Sequence, residues 1–357
     1  MTLHLKPHEL VAILRNSPVN ESLATITGTP LIVVDLTAPG ATVANSPAIP
    51  AHHVEMVGEA LHALPTVIVG VVSGHGALVP PHFARLGKFM DTVVAAEDLA
   101  SIETMVEQFP LASTALVLLL RDAERRSIVE GLIAESATYS VLQAGPEFAR
   151  WRAGRAPRHS APSPHPRVRV RDIDGSVFVT LSRNERHNAF DAQTRDELAA
   201  ALELLAAPTG EASGSIILDA EGPSFCSGGD LDEFGTRPDP ATAHLIRLTR
   251  SPARLIALLG PRTTARLHGA CMGAGIELAA FAARVEAATN TAIALPELGL
   301  GLVPGSGGTV SMPRRIGRQR TALLALTGMQ LDAPTALEWG LVDAIVEADG
   351  ITAARGD

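Results

Sequence analysis

Apolar and polar residues alternate along the stretch VRVRDIDGSVFVTLS at 168–182, and Asp174–Gly175 interrupts the alternation. Alternation is typical of a strand and Asp-Gly of a tight turn, so the stretch predicts two strands joined as a hairpin. The next stretch, DAQTRDELAAALELLAA at 191–207, predicts a helix with Asp191 as its N-cap and leucines along one face. The apolar runs SIILDA and RTTARL predict buried strands further on. Strands and helices in alternation indicate an α/β fold with crossover connections.

The first half of the chain has the same kind of pattern in weaker form. PLIVVDL (30–36) and PTVIVGVVSG (65–74) predict buried strands, and HHVEMVGEALHAL (52–64) predicts an amphipathic helix. A longer helical pattern runs from 122 to 151. The polar stretch WRAGRAPRHSAPSPHP (151–166) is rich in Pro, Arg and Ser, which is typical of a linker. We therefore expect an α/β domain at 1–150, a linker at 151–166 and a second domain at 167–357.

Two segments of the first half are similar to segments of the second. LHALPTVIVGVVSGHG is similar to LIALLGPRTTARLHGACMG, and FMDTVVAAEDLA is similar to FAARVEAATNTA. An internal duplication explains both similarities, and chance agreement between sequences rich in Ala and Val is the alternative.

Composition narrows the classes of function. The chain has 357 residues, 46% of them hydrophobic, and a net charge of −9, which argues against nucleic acid as a partner. Its two cysteines predict neither a disulfide framework nor a metal site. The N-terminus lacks the pattern of a signal peptide, and the longest apolar run, LASTALVLLL, is too short to span a bilayer. We therefore expect a cytoplasmic protein that binds no membrane.

Three elements of the second half carry candidate chemistry. FCSGGD and GACMGAGIEL are glycine-rich stretches that can present backbone N–H groups, the second at the start of a helix. Two such N–H groups converging from separate loops make an oxyanion hole. The third element, LPELGLGLVPGSGGT, contains Glu297. Each element alone is weak evidence of catalysis, because glycine-rich turns before helices are common. Glu277 could also be a first-turn glutamate favoured by the helix dipole.

The order and spacing of these elements resemble the crotonase, or enoyl-CoA hydratase/isomerase, superfamily. The matching residues are LSRNERHNAF, FCSGGDLDEF, GACMGAGIELA, LPELGLGLVPGSGGT and LTGMQLDAPTALEWGLVDAIV, within about 168–347. The resemblance implies a crotonase-like ββα spiral core in the second half, and we expect the N-terminal domain to be a degenerate, noncatalytic unit of the same kind. It implies no cofactor and no metal, an acyl-CoA thioester as the substrate, and a homo-oligomer, either a trimer or a hexamer.

The resemblance also implies roles for individual residues. Glu277 would orient and deprotonate a water, Glu297 would deliver a proton to C2, and the N–H groups of Gly229 and Ala274 would hold the thioester oxygen. Both carboxylates must then approach one apolar site and titrate together. The coenzyme A and acyl path would be lined by six further residues: Arg186, Ala189, Ser227, Asp230, Leu231 and Gly273.

Some positions depart from the family pattern. Ala282–Ala283–Arg284 replaces an acidic anchor that the family often has after the first glutamate. The family's C-terminal helices are also missing after 347, whereas 125–155 looks like that tail placed before the catalytic part. We therefore expect the tail-like helices of the first half to serve the second half. PGSGGT (304–309) lacks the Lys-Ser/Thr ending of a P-loop and is read as a turn into a helix.

Three functions remain open at this stage. Two glutamates favour a 2-enoyl-CoA hydratase. An isomerase, or other enolate chemistry with Glu297 as the main base, would use the same oxyanion hole. A catalytically inactive acyl-CoA-binding protein is the third possibility. Cys226 and Cys271 beside the two loops are interpreted as small buried residues, with a reactive thiol as the alternative.

Overall fold

The computed structural model of the chain describes residues 2–16, 21–37, 51–74, 79–155, 164–207, 214–236 and 239–347. It has the mixed α/β fold that the sequence predicts. The first half contains strands β1 (Thr2–Leu5), β2 (Leu31–Asp35), β3 (Val67–Val72) and β4 (Thr92–Ala95), and helices α1 (Pro7–Asn16), α2 (Ala51–Ala63), α3 (Ala84–Gly87), α4 (Leu99–Gln108), α5 (Pro110–Arg121), α6 (Ile128–Gln143) and α7 (Pro146–Ala153).

The second half continues the alternation. Its strands are β5 (Val168–Ile173), β6 (Ser176–Leu181), β7 (Ile216–Ala220), β8 (Thr263–Leu267), β9 (Ala270–Met272), β10 (Arg284–Ala288), β11 (Ala292–Ala294), β12 (Leu331–Asp332) and β13 (Ala344–Val346). Its helices are α8 (Ala192–Ala206), α9 (Pro240–Thr249), α10 (Pro252–Leu259), α11 (Ala274–Ala279), α12 (Gly308–Thr327) and α13 (Ala333–Trp339).

The strands form three sheets. The first half has a fully parallel sheet in the order β1-β2-β3-β4, and β3 is buried along its whole length, as expected for the apolar runs of a parallel sheet. The second half has a six-stranded sheet in the order β13-β10-β8-β7-β6-β5, parallel except for β5 against β6. A small sheet, β12-β11-β9, lies beside the glycine-rich loops.

The two larger sheets share a strand order. β1-β2-β3-β4 and β6-β7-β8-β10 are both runs of four parallel neighbours. The similar sequence segments fall on corresponding strands, because β3 pairs with β4 as β8 pairs with β10. This correspondence fits an internal duplication better than chance agreement.

Both halves contribute to one hydrophobic core. It contains Val69 and Leu116 of the first half together with Leu218 and Leu324 of the second. Polar contacts add to the attachment: Ser140 Oγ donates to the Pro240 carbonyl oxygen at 2.8 Å. The first half is therefore packed against the second rather than held at a distance by the linker.

The local predictions can be compared with the structure element by element. The hairpin is confirmed, since Asp174 and Gly175 have φ of 50° and 78° between two antiparallel strands. Asp191 caps α8 by accepting the Thr194 N–H at 2.7 Å. The helical pattern at 122–151 is two helices, because Gly145 and Pro146 end α6 and begin α7. Residues 231–235 form a series of turns.

Parts of three predicted segments lie outside the described residues. These are 156–163 of the linker, 75–76 of the segment LHALPTVIVGVVSGHG, and 348–357 of the second domain. Residues 151–153 of the predicted linker are the last turn of α7.

Across the described ranges, no single helix has both the length and the apolar composition needed to cross a membrane. The neighbouring segments Ala96–Gln108 and Pro110–Arg121 meet that test only when taken together, and they are bent by 111° relative to each other.

A buried ion pair fixes the first sheet to α5. Arg121 donates through Nε and Nη2 to the two carboxylate oxygens of Asp91, at 2.8 and 2.7 Å, and both side chains are almost fully buried. The same guanidinium donates to the carbonyl oxygens of Leu64 and Thr66, while Asp91 also accepts the Ile68 N–H. Every charged atom of the pair therefore has a partner, which is the condition for burying charge.

Replacing Asp91 with Asn should destabilise the protein by about 3–5 kcal/mol, because a buried guanidinium loses its counter-charge. Urea unfolding followed by circular dichroism measures the change. Asp122→Asn is the matched control, since Asp122 pairs with Arg126 at the surface and should cost below about 1 kcal/mol. Equal losses in the two variants would contradict a special role for the buried pair.

Candidate active site

Two loops run side by side and bring the glycine-rich stretches together. Cys226 donates its N–H to the Ala270 carbonyl oxygen at 3.0 Å, and Met272 donates to the Cys226 carbonyl oxygen at 3.0 Å. This short parallel pairing leaves Gly229 and the first residue of α11, Ala274, on the wall of the same cavity. Neither N–H has an acceptor among the described residues. Two amides are thus available to bind a negatively charged oxygen.

Gly273 is the point at which the two predicted glutamates meet. Its φ of 46° and ψ of −118° are open to glycine and not to other residues. A Cβ at this position would lie 2.1 Å from Oε1 of Glu297 and 3.7 Å from Oε1 of Glu277. Both carboxylates therefore occupy the space directly over one Cα, next to the Ala274 amide.

Glu277 is held by the turn that precedes α12. Its Oε2 accepts the N–H groups of Ser306 at 2.7 Å and Gly308 at 2.9 Å. Its backbone carbonyl oxygen accepts the Ser311 hydroxyl at 2.7 Å. One carboxylate oxygen is thus fixed by backbone donors, and the other is the one beside Gly273.

A third carboxylate, which the sequence analysis missed, uses the alternate amides of the same turn. Glu135 of α6 accepts the N–H of Gly307 at 2.7 Å and, on its other oxygen, the N–H and hydroxyl of Thr309 at 2.9 and 2.7 Å. The PGSGGT segment is therefore a turn whose donors are already used by two carboxylates, as expected from its interpretation as a turn rather than a phosphate site. The available signal was the position of Glu135 on the apolar face of α6, four residues before the buried Tyr139.

Glu297 lies in a short 3₁₀ helix at Glu297–Leu300 and is only 8% exposed. Its Oε2 accepts no hydrogen bond from the described residues. A buried carboxyl with an oxygen that accepts no hydrogen bond is stabilised in the protonated form. Glu277 and Glu135 differ from Glu297, because each accepts two backbone N–H groups on its carboxylate oxygens.

The titration of the three carboxyls follows from burial and from their proximity. Burial is the main cause that raises the pKa of Glu277 and of Glu297 well above the usual range, and repulsion between carboxylates adds to it. Burial and the charge of Glu277 raise the pKa of Glu135 to about 8. Backbone N–H donors oppose the shift at all three carboxyls, through at least two amides at Glu277 and at Glu135 but only through its own N–H at Glu297. Among the three, the geometry therefore favours Glu297 as the carrier of the proton.

The cavity around these groups has a volume of about 540 Å³ and walls from both halves of the chain. α6 and α7 of the first half contribute Glu135, Tyr139 and Phe148, and α9 contributes Arg247. Sequence reasoning found none of these four, because they come close to Glu277 only through the tertiary fold.

The other predicted site residues lie around the two loops, most of them outside the cavity wall. Asp230 borders the cavity, but its carboxylate accepts Arg183 Nη1 at 2.7 Å. Gly273 lies beneath the glutamates. Outside the wall are the exposed residues Arg186 and Ser227 and the half-buried residues Ala189 and Leu231.

The remaining sequence features have structural explanations. Cys226 and Cys271 are buried neighbours, and burial raises the pKa of both thiols, the first to about 12, so they are packing residues rather than nucleophiles. In the segment that lacks an acidic anchor, Arg315 Nε donates to the Ala280 carbonyl oxygen at 2.9 Å and supports the loop instead. No three His, Cys, Asp or Glu side chains in the described ranges are placed to hold a metal ion together.

The second half of the chain is similar in sequence to known proteins. The family model for enoyl-CoA hydratase/isomerase matches residues 173–354. The enoyl-CoA isomerase/hydratase fer4 of Mycosarcoma maydis is 33% identical over 179 residues, which are 48% of this chain and 65% of that protein. This chain thus matches less than two thirds of the length of that relative.

Two solved structures are similar over about half of the chain. The enoyl-CoA hydratase from Thermoplasma volcanium is 30% identical with a TM-score of 0.49, over 53% of this chain and 75% of that one. A putative enoyl-CoA hydratase/isomerase from Mycobacterium abscessus is 31% identical with a TM-score of 0.48, over 52% and 73%. On the family match, which spans half of the chain and includes both glycine-rich loops and both glutamates, the chain belongs to the enoyl-CoA hydratase/isomerase family of the crotonase superfamily.

Proposed function

We propose that the protein adds water across the double bond of a 2-enoyl-CoA thioester. The observation that carries this proposal is the meeting of two unlike carboxyls over Gly273, one with an oxygen fixed by two amide donors and one with an oxygen that accepts no hydrogen bond from the described residues. Beside them lie the free N–H groups of Gly229 and Ala274. Hydration needs a base for water, an acid for C2 and donors for the thioester oxygen, and this cavity offers all three.

The different hydrogen bonding of Glu277 and Glu297 assigns their roles in proton transfer. Glu277, whose Oε2 accepts the N–H groups of Ser306 and Gly308, takes a proton from water in its ionised form as the water oxygen bonds to C3. The electrons of the double bond move toward the thioester oxygen, where the two amides stabilise the negative charge. The resulting enolate takes a proton at C2 from Glu297. One carboxyl gains a proton and the other loses one, so the pair returns to its starting state by a proton transfer between them.

Two other functions use part of the same site. An isomerase needs a single base that moves a proton between C2 and C4, and Glu297 is placed for that role. An inactive acyl-CoA-binding protein needs only the cavity and the amides. Two carboxyls that differ in hydrogen bonding favour hydration, because an isomerase or a binding protein has no need for a fixed second carboxylate.

We further propose that residues 1–150 form a degenerate crotonase-like unit without chemistry of its own, whose α6 closes the cavity of the second half. The shared strand order and the contacts of Glu135 with Gly307 and Thr309 support this proposal. Residues 151–166 would join the two units, and 167–357 would form the catalytic domain.

Glu277→Gln and Glu297→Gln should each lower kcat for hydration of crotonyl-CoA by about 10²–10⁴-fold, since each removes one proton-transfer group. Loss of absorbance of the conjugated enoyl thioester measures turnover, and the affinity for butyryl-CoA should change by less than a few fold. Full turnover of a 3-enoyl-CoA by Glu277→Gln would favour isomerisation. Tight butyryl-CoA binding by the unaltered protein, with no turnover of either substrate, would favour a binding protein.

Glu135→Gln should move the alkaline limb of the pH profile of kcat/KM to lower pH by about one unit. Above about pH 8, Glu135 is ionised, and its negative charge helps Glu297 to keep the proton that hydration needs. Without this charge the proton leaves Glu297 at lower pH. Glu130→Gln, at the exposed start of α6, is the control and should leave the profile unchanged. An unshifted profile in Glu135→Gln would disprove the electrostatic role.

A chain that begins at residue 164 should lose at least about 100-fold in hydration rate, because α6 no longer supplies its wall of the cavity. As a control, a protease site placed within 156–163 allows the full chain to be cut while both pieces remain packed together. The cut protein should keep its activity. A soluble, fully active shortened chain would show that the first half is dispensable.

A further inference from the structure

A part of the cavity wall that the hydration chemistry does not use is formed by Tyr139 of α6 and Arg247 of α9. Both side chains border the cavity that contains Glu277 and Glu297. Arg247 lies over the face of the Tyr139 ring, with Cζ 4.7 Å from the ring centroid. The other side of this arrangement is backbone, since a Cβ on Gly305 would lie 2.5 Å from Cδ2 of Tyr139. The aromatic ring is thus held between a guanidinium and the loop before α12.

Arg247 is attached on one side only. Its Nε donates to the Ser136 hydroxyl at 3.0 Å, and its Nη2 donates to the Ser136 carbonyl oxygen at 3.2 Å and to the Ser140 hydroxyl. Its Nη1 donates to no described residue, and Arg247 forms no ion pair with a carboxylate in the described part of the chain. The serines orient the guanidinium, yet its positive charge is left without a direct counter-charge.

Tyr139 presents a second unused donor. The side chain is 8% exposed, and its hydroxyl makes no hydrogen bond to a described residue. Buried tyrosine hydroxyls usually have a partner, because losing the hydrogen bonds of water without replacement is costly. A hydroxyl that borders a cavity can obtain that partner from a bound ligand.

A tyrosine donor beside an arginine that forms no ion pair, and whose interaction with Glu135 acts beyond ion-pair distance, matches an anion. Guanidinium groups fit carboxylates especially well. A neutral acyl chain would leave both donors unpaired in the cavity. Phe148, which is apolar, lines the same cavity. One acyl group can therefore contact both an apolar side chain and the two donors.

We propose that Tyr139 and Arg247 bind a carboxylate at the far end of the acyl group, so that the substrate is the 2-enoyl-CoA thioester of a dicarboxylic acid. This inference rests on the proposed acyl-CoA chemistry and names the class of acyl group. Arg247 and Tyr139 are specificity residues in this assignment, and the proton transfers remain with Glu277 and Glu297.

Binding of saturated thioesters tests the assignment without requiring turnover. Glutaryl-CoA and adipyl-CoA are compared by isothermal titration calorimetry with the neutral ligands of similar shape, 5-methylhexanoyl-CoA and 6-methylheptanoyl-CoA. The unaltered protein should bind the carboxylated member of at least one pair about tenfold to hundredfold more tightly. Equal affinity, or tighter binding of the neutral ligand, in both pairs would overturn the proposal.

Variants show which side chains cause the preference for carboxylated ligands. Arg247→Met should abolish it while leaving the affinity for the neutral ligand within a few fold, and Tyr139→Phe should reduce it several fold. Arg152→Met is the matched control, because Arg152 also borders the cavity but contacts the Phe234 carbonyl oxygen instead. The carboxylate preference should persist in this control. A preference lost in Arg152→Met and kept in Arg247→Met would refute the assignment.

Three further outcomes are separable. If Arg247→Met weakens free coenzyme A as much as every thioester, the arginine binds the phosphates of coenzyme A and the proposal is wrong. If the preference for carboxylated ligands holds but no enoyl-CoA is hydrated, the proposed hydration fails while the carboxylate site stands. If the unaltered protein binds none of the thioesters, both proposals are wrong.

Discussion

Four successive backbone amides, from Ser306 to Thr309, hold the site together. They donate alternately to Glu277 and Glu135, so two buried carboxylates are fixed by one turn at the start of α12. Backbone donors at a helix N-terminus are among the few groups that stabilise a buried negative charge without adding another ionisable side chain. Without this turn the pKa of both carboxyls would lie higher still, because burial and mutual repulsion raise it and the amides oppose the rise.

The same turn connects the two halves of the chain. Glu135 comes from α6 of the first half, and its hydrogen bonds to Gly307 and Thr309 join that helix to the second half at the candidate active site. The shared hydrophobic core adds nonspecific attachment, whereas these hydrogen bonds fix one orientation. The first half, to which no chemistry is assigned, therefore still contributes to the shape and charge of the cavity through α6 and α7.

The sequence predicted those parts of the structure that depend on short-range pattern. The hairpin at Asp174–Gly175, the cap at Asp191 and the buried strands of both sheets follow from local composition and spacing. The pair Glu277 and Glu297 was found because both lie within motifs of known order, and the structure places them over Gly273. The break between α6 and α7 was missed although Gly145 and Pro146 mark it, because the apolar pattern runs across it.

The rest of the site could not be predicted, because its contacts join residues far apart in the sequence. Glu135 meets Thr309 across most of the second half, and Arg247 meets Ser136 through the packing of α9 on α6. Motif position was also a poor guide to surface detail: Arg186 is exposed near Asp232, at 4.0 Å, rather than in the cavity. Such placements depend on how helices pack, which no local pattern encodes.

The placement of α6 has a consequence for how the protein behaves at low concentration. The walls of the cavity described above, including the one carrying Glu135 and Tyr139, come from a single polypeptide. A site completed by a neighbouring molecule opens when dilution separates the molecules, since association obeys mass action. Here the closing helix is tethered to the surface it covers, so its local concentration is set by chain connectivity and stays constant on dilution.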